Sequence, residues 1–290
     1  MSLAQDKPDS TDISEDQRSY STQFWDQREM ERTRPIPMPE LSEKEYEERF
    51  GTQRTPERRD GEQETLEQEH HTLRRVDVNQ IPFQHAGKLF FTLGGSSYSC
   101  TAEYTGDPTV VLTAAHCVRD MNNGAWATNV LFVQRYAAGG GRRTTARCMA
   151  TWPEWVTGGG NRWPHDYAFV LMNQPSDTGH LGMKTNWRYS SLHSIGYPGA
   201  MENGQYMQLV RGSTSTVSNI VELTHGQANF TFGASGGSMI GDLSGNGTGP
   251  YNYATSVNSH IYKSRPGRLY GPYFTNRTAD LFRFVRNGCR

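Results

Sequence analysis

No run of 18 uninterrupted apolar residues occurs in this 290-residue chain, which excludes a membrane-spanning helix of the usual length. Hydrophobic residues are scarce at 34%, below the usual share of a globular protein. Net charge is nearly absent: 29 Lys+Arg against 30 Asp+Glu leave −1. That removes any whole-chain argument for nucleic acid or a membrane surface as partner. Gly (30) and Pro (14) stand near average, far from collagen-like or low-complexity composition. Cysteine is sparse, but its count of 4 is even, which suits an oxidising compartment. No apolar signal-peptide run follows Met1; Asp6, Lys7, Pro8 and Asp9 come instead. The chain is therefore either not exported or begins after signal removal, and the cysteines point to a secreted or periplasmic protein.

The length suffices for one large domain or two small ones with a real core. The near-zero charge hides a split. Residues 1–75 carry 12 basic and 19 acidic side chains, net −7, and residues 76–290 carry 17 and 11, net +6. All four cysteines lie in the second part. An acidic leader, 1–75, thus precedes a mildly basic body, 76–290. Residues 1–34 hold too few apolar side chains to offset chain entropy. Arg34-Pro-Ile-Pro-Met-Pro39 is stiff and extended, because each proline fixes its own φ and biases its predecessor. One helix starts well, with Ser42 as N-cap, Glu45 as its capping-box partner and Leu41/Tyr46 as staple; it is expected to end near Phe50. Two readings of this mostly irregular leader stay open. It is a disordered tail, or it is a prosegment attracted by the opposite charge of the body and cut after Arg74-Arg75.

The body reads as all-β. Short apolar runs rich in β-branched and aromatic residues alternate with turn signals: 88–93, 110–113, 129–134, 167–172, 206–211, 218–223 and 253–257. Such spacing points to a barrel or sandwich. Tyr167–Met172 is apolar almost throughout, as a strand buried on both faces would be. Gly139-Gly-Gly141 lacks phosphate-loop spacing and reads as a hairpin loop. Leu281, Phe284 and Val285 recur at helical spacing within 278–286.

Three local patterns can carry chemistry. Thr113-Ala-Ala-His116-Cys117 follows a strand, His165-Asp166 opens one, and Gly233-Ala-Ser235-Gly-Gly237 sets a serine among glycines. Singly each reads as a loop. Together, in the order His, Asp, Ser, they meet one chemical need. A hydroxyl requires a base at neutral pH, imidazole titrates nearest that pH, and a buried carboxylate fixes the imidazole tautomer. Glycines let backbone N–H groups approach a developing oxyanion. Gly233 and Ser235 would supply those two donors.

On these motifs, residues 76–287 resemble the chymotrypsin-like serine endopeptidases, in particular the V8-like or glutamyl-endopeptidase-like branch. Val257-Asn-Ser-His260 and Tyr270-Gly-Pro-Tyr-Phe274 look like further segments of that branch. The resemblance implies two antiparallel six-stranded β-barrels with a C-terminal helix, the cleft between them holding His116, Asp166 and Ser235. It implies acyl-enzyme proteolysis, no cofactor and no metal, a protein or peptide substrate, and a monomer. Ser259 would support Asp166, and residues 259–261 would take substrate as an added strand. Cys100 and Cys117 resemble the family disulfide beside the histidine, worth about 3 kcal/mol in the chain-entropy model. Cys148 and Cys289 either pair or stay as free thiols.

The chain departs from the family at Ala234. Animal members carry there an aspartate that pairs with a freed amine, so activation by that ion pair is impossible here. Asn229 and Phe230 stand at the pocket floor, which offers no acid for a Lys or Arg side chain. Asn258 occupies the place of the histidine that reads glutamate, with His260 nearby. Asn229, Asn246 and Asn276 begin Asn-x-Ser/Thr sequons; glycosylation at Asn229 would fall inside the cleft. His70-His71 and His165 show no metal-ligand spacing. The rival to an endopeptidase is a catalytically silent protease-fold binding protein.

Overall fold

The computed structural model describes residues 7–51, 73–245 and 252–290. Its leader begins with β1 (Asp9–Asp12), α1 (Glu15–Phe24) and α2 (Gln27–Arg32), followed by β2 (Arg34–Pro35), β3 (Glu40–Leu41) and α3 (Glu43–Phe50). Helix α3 has the expected Ser42/Glu45 capping box. The two helices before it correct the expectation for residues 1–34. Ser14 and Gln17 form a second capping box, and Asp26 caps α2. The reason the segment orders is tertiary. Trp25 and Met30 are fully buried against the body, and Trp25 Nε1 donates to the Asn129 carbonyl. Strand β1 pairs antiparallel with the body, Asp9 opposite Thr151 through Asp12 opposite Cys148. Few apolar residues suffice when another surface buries them completely.

After the leader, β4 (Arg74–Arg75) is an edge strand on the second barrel, opposite Leu209 and Gln208. Its side chains are exposed, yet its backbone is hydrogen-bonded in a ladder. The Arg75 guanidinium lies over the Tyr206 ring and reaches Glu202 at 3.2 Å. The next amide, Val76 N–H, donates to Met207 O. A cut after Arg75 thus requires this edge to detach. His70 and His71 lie outside the described residues, as does Asn246.

The first barrel is built from β5 (Ala86–Leu93), β6 (Ser96–Tyr104), β7 (Val110–Thr113), β8 (Thr128–Ala137), β9 (Gly140–Thr151) and β10 (Ala168–Met172). These six close on themselves through antiparallel ladders, with β8 pairing both β5 and β9. Ala138 and Gly139 turn the β8–β9 hairpin, Gly140 already pairing with Ala137, and β10 is buried along its whole length. A short helix, α4 (Glu154–Thr157), leaves β9. The second sheet starts with β11 (Gly182–Met183) beside β16 and continues with β12 (Ser191–Gly196), β13 (Gln208–Val217), β14 (Ile220–Thr224), β15 (Ser238–Gly241), β16 (Tyr253–Val257) and β18 (Arg268–Pro272), while β17 (Ile261–Tyr262) pairs with β3 of the leader in a sheet of its own. Its antiparallel order is β16-β15-β12-β13-β14-β18. The residues after β16 close the circle, because Ser259 N–H and His260 N–H both donate to Tyr270 O.

The terminal helix α5 (Asn276–Arg286) packs Leu281, Phe282 and Val285 inward. Phe282, rather than Phe284, is the buried aromatic; Phe284 is half-buried. Cys100 pairs with Cys117, and Cys148 with Cys289, which ties the chain beyond α5 to β9. Lys88 on β5 is almost wholly buried and donates to Gly204 O at 2.9 Å. Burial pulls its amine down to about 8, and it links the first barrel to the loop before β13.

His85, 7% exposed, is pulled down to about 4 by burial and by nearby His180. Between pH 6.5 and 4 the unfolded chain binds this proton while the folded one does not. Stability is therefore full above pH 6.5 and falls with pH, by up to about 1.4 kcal/mol per unit from this group. Urea unfolding at pH 5 and 7 should show a smaller difference for His85→Gln than for the wild type.

Candidate active site

His116 sits in a 3-10 turn, Ala115–Cys117, just after β7, where the Cys100–Cys117 disulfide anchors the turn to β6. Asp166 lies between another 3-10 turn, Trp163–His165, and β10. The structure brings the two together. The carboxylate, fully buried, accepts from the His116 backbone N–H at 2.9 Å and from Nδ1 at 2.8 Å. It also accepts from Ser259 Oγ at 2.6 Å. Three bonds to an ionised acceptor satisfy a charge that burial would otherwise penalise. They also place the proton of His116 on Nδ1, so Nε2 carries the lone pair. Nε2 and Ser235 Oγ are both buried and make no hydrogen bond, with each other or with any described residue.

Ser235 belongs to the loop before β15. Ala234 N–H donates to Thr231 O, Gly237 N–H to Ala234 O, and Gly236 N–H to Asn258 O. Gly233 and Gly236 have φ of +91° and +82°, the region that favours glycine. A Cβ on Gly236 would stand 2.2 Å from Thr113 Oγ1, and one on Gly237 2.0 Å from Ile195 O. Among the described residues, neither Gly233 N–H nor Ser235 N–H donates to a protein acceptor.

Thr101 escaped the reading of the sequence, and Asn258 was given another role there. Thr101 on β6 donates its hydroxyl to Gly233 O at 2.8 Å and its N–H to Ser235 O at 2.8 Å. It thereby pins the serine loop to the first barrel. Asn258, expected to meet substrate, uses its carboxamide inside the protein: Nδ2 donates to Ile195 O and Ala234 O, and Oδ1 accepts from Ser194 Oγ. No local pattern marks either residue, since both act through partners distant in sequence. Asn229 is exposed and Phe230 fully buried. Ala234 is buried against Gly196, where a Cβ would come within 2.7 Å. His260 is fully buried between Trp163 and Tyr270 rings, and its Nδ1 meets Ser259 Oγ at 2.8 Å. Since that hydroxyl donates to Asp166, His260 Nδ1 is the donor. Burial first, then Arg49 and His116, push His260 well below the ordinary histidine range.

Residues 100–248 match the family described as trypsin-like peptidase domain. The chain belongs to that family. Among solved structures, this peptidase is similar to protease Anisep from Arthrobacter nicotinovorans, at 28% identity over 73% of this chain and 97% of that one, TM-score 0.61. It is similar also to the thermostable serine protease AL20 from an extremophilic microorganism, at 27% identity, covering 71% and 98%, TM-score 0.61. A Glu endopeptidase shares the fold at 18% identity, covering 75% and 97%, TM-score 0.59. No curated protein matches the chain. The peptidase is of the serine class, with the chymotrypsin-like fold.

The leader lies across this site. Ile36 N–H donates to Ser99 O on the first barrel, and Ile261 N–H on the second donates to Pro39 O, both at 3.0 Å. Pro35 touches the glycine loops, since a Cβ on Gly199 would fall 2.5 Å from its Cγ. Met38, 1% exposed, joins the apolar cluster of Phe230 and Ala234. Ile261, in the stretch expected to take substrate, is thus already paired with the leader.

Two outcomes are expected. The ring resonances of His260 should titrate well below the ordinary histidine range in NMR spectra, if they titrate at all. Gly236→Ala should lower the unfolding free energy by about 2 kcal/mol or more, through positive φ and overpacking against Thr113, a loss that denaturant titration reads directly.

Proposed function

We propose that this chain is a serine endopeptidase using His116, Asp166 and Ser235, made in a latent form by its own leader and exported to an oxidising compartment. The observation that carries the proposal is the buried Ser259–Asp166–His116 hydrogen-bond chain, which leaves Nε2 with a free lone pair while Ser235 Oγ, also buried, has no partner.

In the reaction, Ser235 Oγ attacks the scissile carbonyl and His116 Nε2 takes its proton. The imidazolium so formed is stabilised by Asp166, which stays ionised. The carbonyl oxygen becomes an oxyanion held by Gly233 N–H and Ser235 N–H; one such donor is typically worth about 2.7–4 kcal/mol of barrier. Collapse passes the proton from His116 to the departing amine and leaves an acyl-enzyme. Water then repeats the sequence with His116 as base. Thr101 and Asn258 serve as positioning residues, because they hold the loop that presents Gly233 and Ser235.

Latency follows from the leader. A peptide bond cannot reach Ser235 while residues 35–39 bridge Ser99 and Ile261. Ala234 removes the ion-pair route of activation, and the oxyanion donors are already free of protein acceptors. Release therefore calls for clearance of the cleft rather than for rebuilding it. Two disulfides support an oxidising location.

A fluorophosphonate probe tests the proposal on the full chain and on the chain after leader removal, with Ser235→Ala as control. Labelling of Ser235 should rise at least a hundredfold once the leader is gone, and Ser235→Ala should never label. No labelling in either state would make the protein a silent binding module.

A further inference from the structure

On the reading that the leader keeps the peptidase latent, we propose that residues 7–51 are a separable, self-resistant inhibitor. Cutting the connection within 52–75 leaves them bound, and activation takes a second event that removes them.

The attachment has two parts, and neither uses the connection. Away from the cleft, β1 adds four paired residues to β9, and Asp9 meets the half-buried Arg119 at 2.6 Å. Trp25 and Met30 are fully buried in the first-barrel core. The Trp25 carbonyl accepts from Arg143, and Glu29 from Ser97 Oγ, each at 3.0 Å. At the cleft, Ile36, Met38 and Leu41 are buried, and Tyr46 packs edge-on to Tyr262 at 5.1 Å. Glu43 pairs with Arg265 at 2.9 Å and Glu40 with Lys263 at 3.4 Å. Strand β3 runs parallel to β17, Glu40 opposite Ile261. Burial of this extent holds a peptide by affinity, without the millimolar effective concentration of a tether.

An inhibitor lying over a peptidase site must also survive it. Prolines at 35, 37 and 39 alternate with other residues, so every peptide bond from 34 to 40 has a proline on one side. In three of these bonds the leaving nitrogen is a ring nitrogen without N–H, and its ring crowds the preceding residue. A cut near Arg75 frees the end of β4 but touches none of the contacts above.

The experiment uses the full chain with a site-specific protease recognition sequence in place of residues 58–63. After cutting, size exclusion and mass spectrometry report whether fragment 1–57 stays bound, and fluorophosphonate labelling reports access to Ser235. Retention of an intact fragment, with labelling within about threefold of the uncut rate, is expected. Trp25→Ala, which acts on the Phe90 side rather than in the cleft, should speed labelling at least tenfold in the cut form. It should do so far less in the uncut form, where the tether compensates. Met30→Ala gives the same comparison if Trp25→Ala does not fold. Loss of the fragment with immediate full labelling on cutting overturns the inference while latency stands, and so does cleavage found within 34–40. Labelling of the uncut chain as fast as that of the chain freed of the fragment by digestion overturns latency and the inference together. No labelling in any form, even after the fragment is digested away, overturns the peptidase reading and everything resting on it.

Discussion

The buried carboxylate of Asp166 is the constraint on which the rest of the structure depends. A charge removed from water must find partners, or the group neutralises and the local fold adjusts. Here the partners come from three places: the backbone and the ring of His116 on the first barrel, and the hydroxyl of Ser259 on the second. Satisfying one anion therefore sets the imidazole tautomer and fixes the relative placement of the two barrels. The serine loop is drawn into the same arrangement by Thr101 from one side and Asn258 from the other. Removing a partner from a buried charge costs about 3–5 kcal/mol, which is large against the whole stability of a domain.

The leader uses the same surfaces from outside. Its acidic residues meet cations of the body at Arg119, Lys263 and Arg265. Exposed pairs of this kind contribute little energy each; they orient the segment, while Trp25, Met30, Met38 and Tyr46 supply burial. Charge opposition was visible as a difference between two halves of the sequence. Which cations meet which carboxylates was not, because the pairs are up to 222 positions apart.

Much of the site was legible because its motifs are local. Thr113–Cys117 and Gly233–Gly237 each announce a turn chemistry that a few adjacent residues define, and the glycine positions match the close approaches found at Thr113 and Ile195. The Ser42/Glu45 capping box was equally local and marked α3. Ser14 and Gln17 carried the same signal for α1, but the low apolar content around them argued against order. That content becomes sufficient only on a ready-made surface, which is why a composition-based reading fell short for residues 9–32. The pocket residues show the opposite case. Asn258 and His260 are polar groups near a cleft, and only their partners reveal that Asn258 faces inward and that His260 orients Ser259.

By itself, the sequence determined the alternation of short strands, the three chemical motifs, the proline-stiffened stretch at 34–39 and the charge contrast between leader and body. These are properties of neighbours along the chain, governed by backbone sterics and composition. The tertiary structure alone decided that Thr101 and Asn258 hold the serine loop, that Cys148 reaches Cys289, and that the leader bridges Ser99 and Ile261. Those outcomes depend on burial and on hydrogen bonds between residues tens to hundreds of positions apart, whose energies exist only after the barrels have closed.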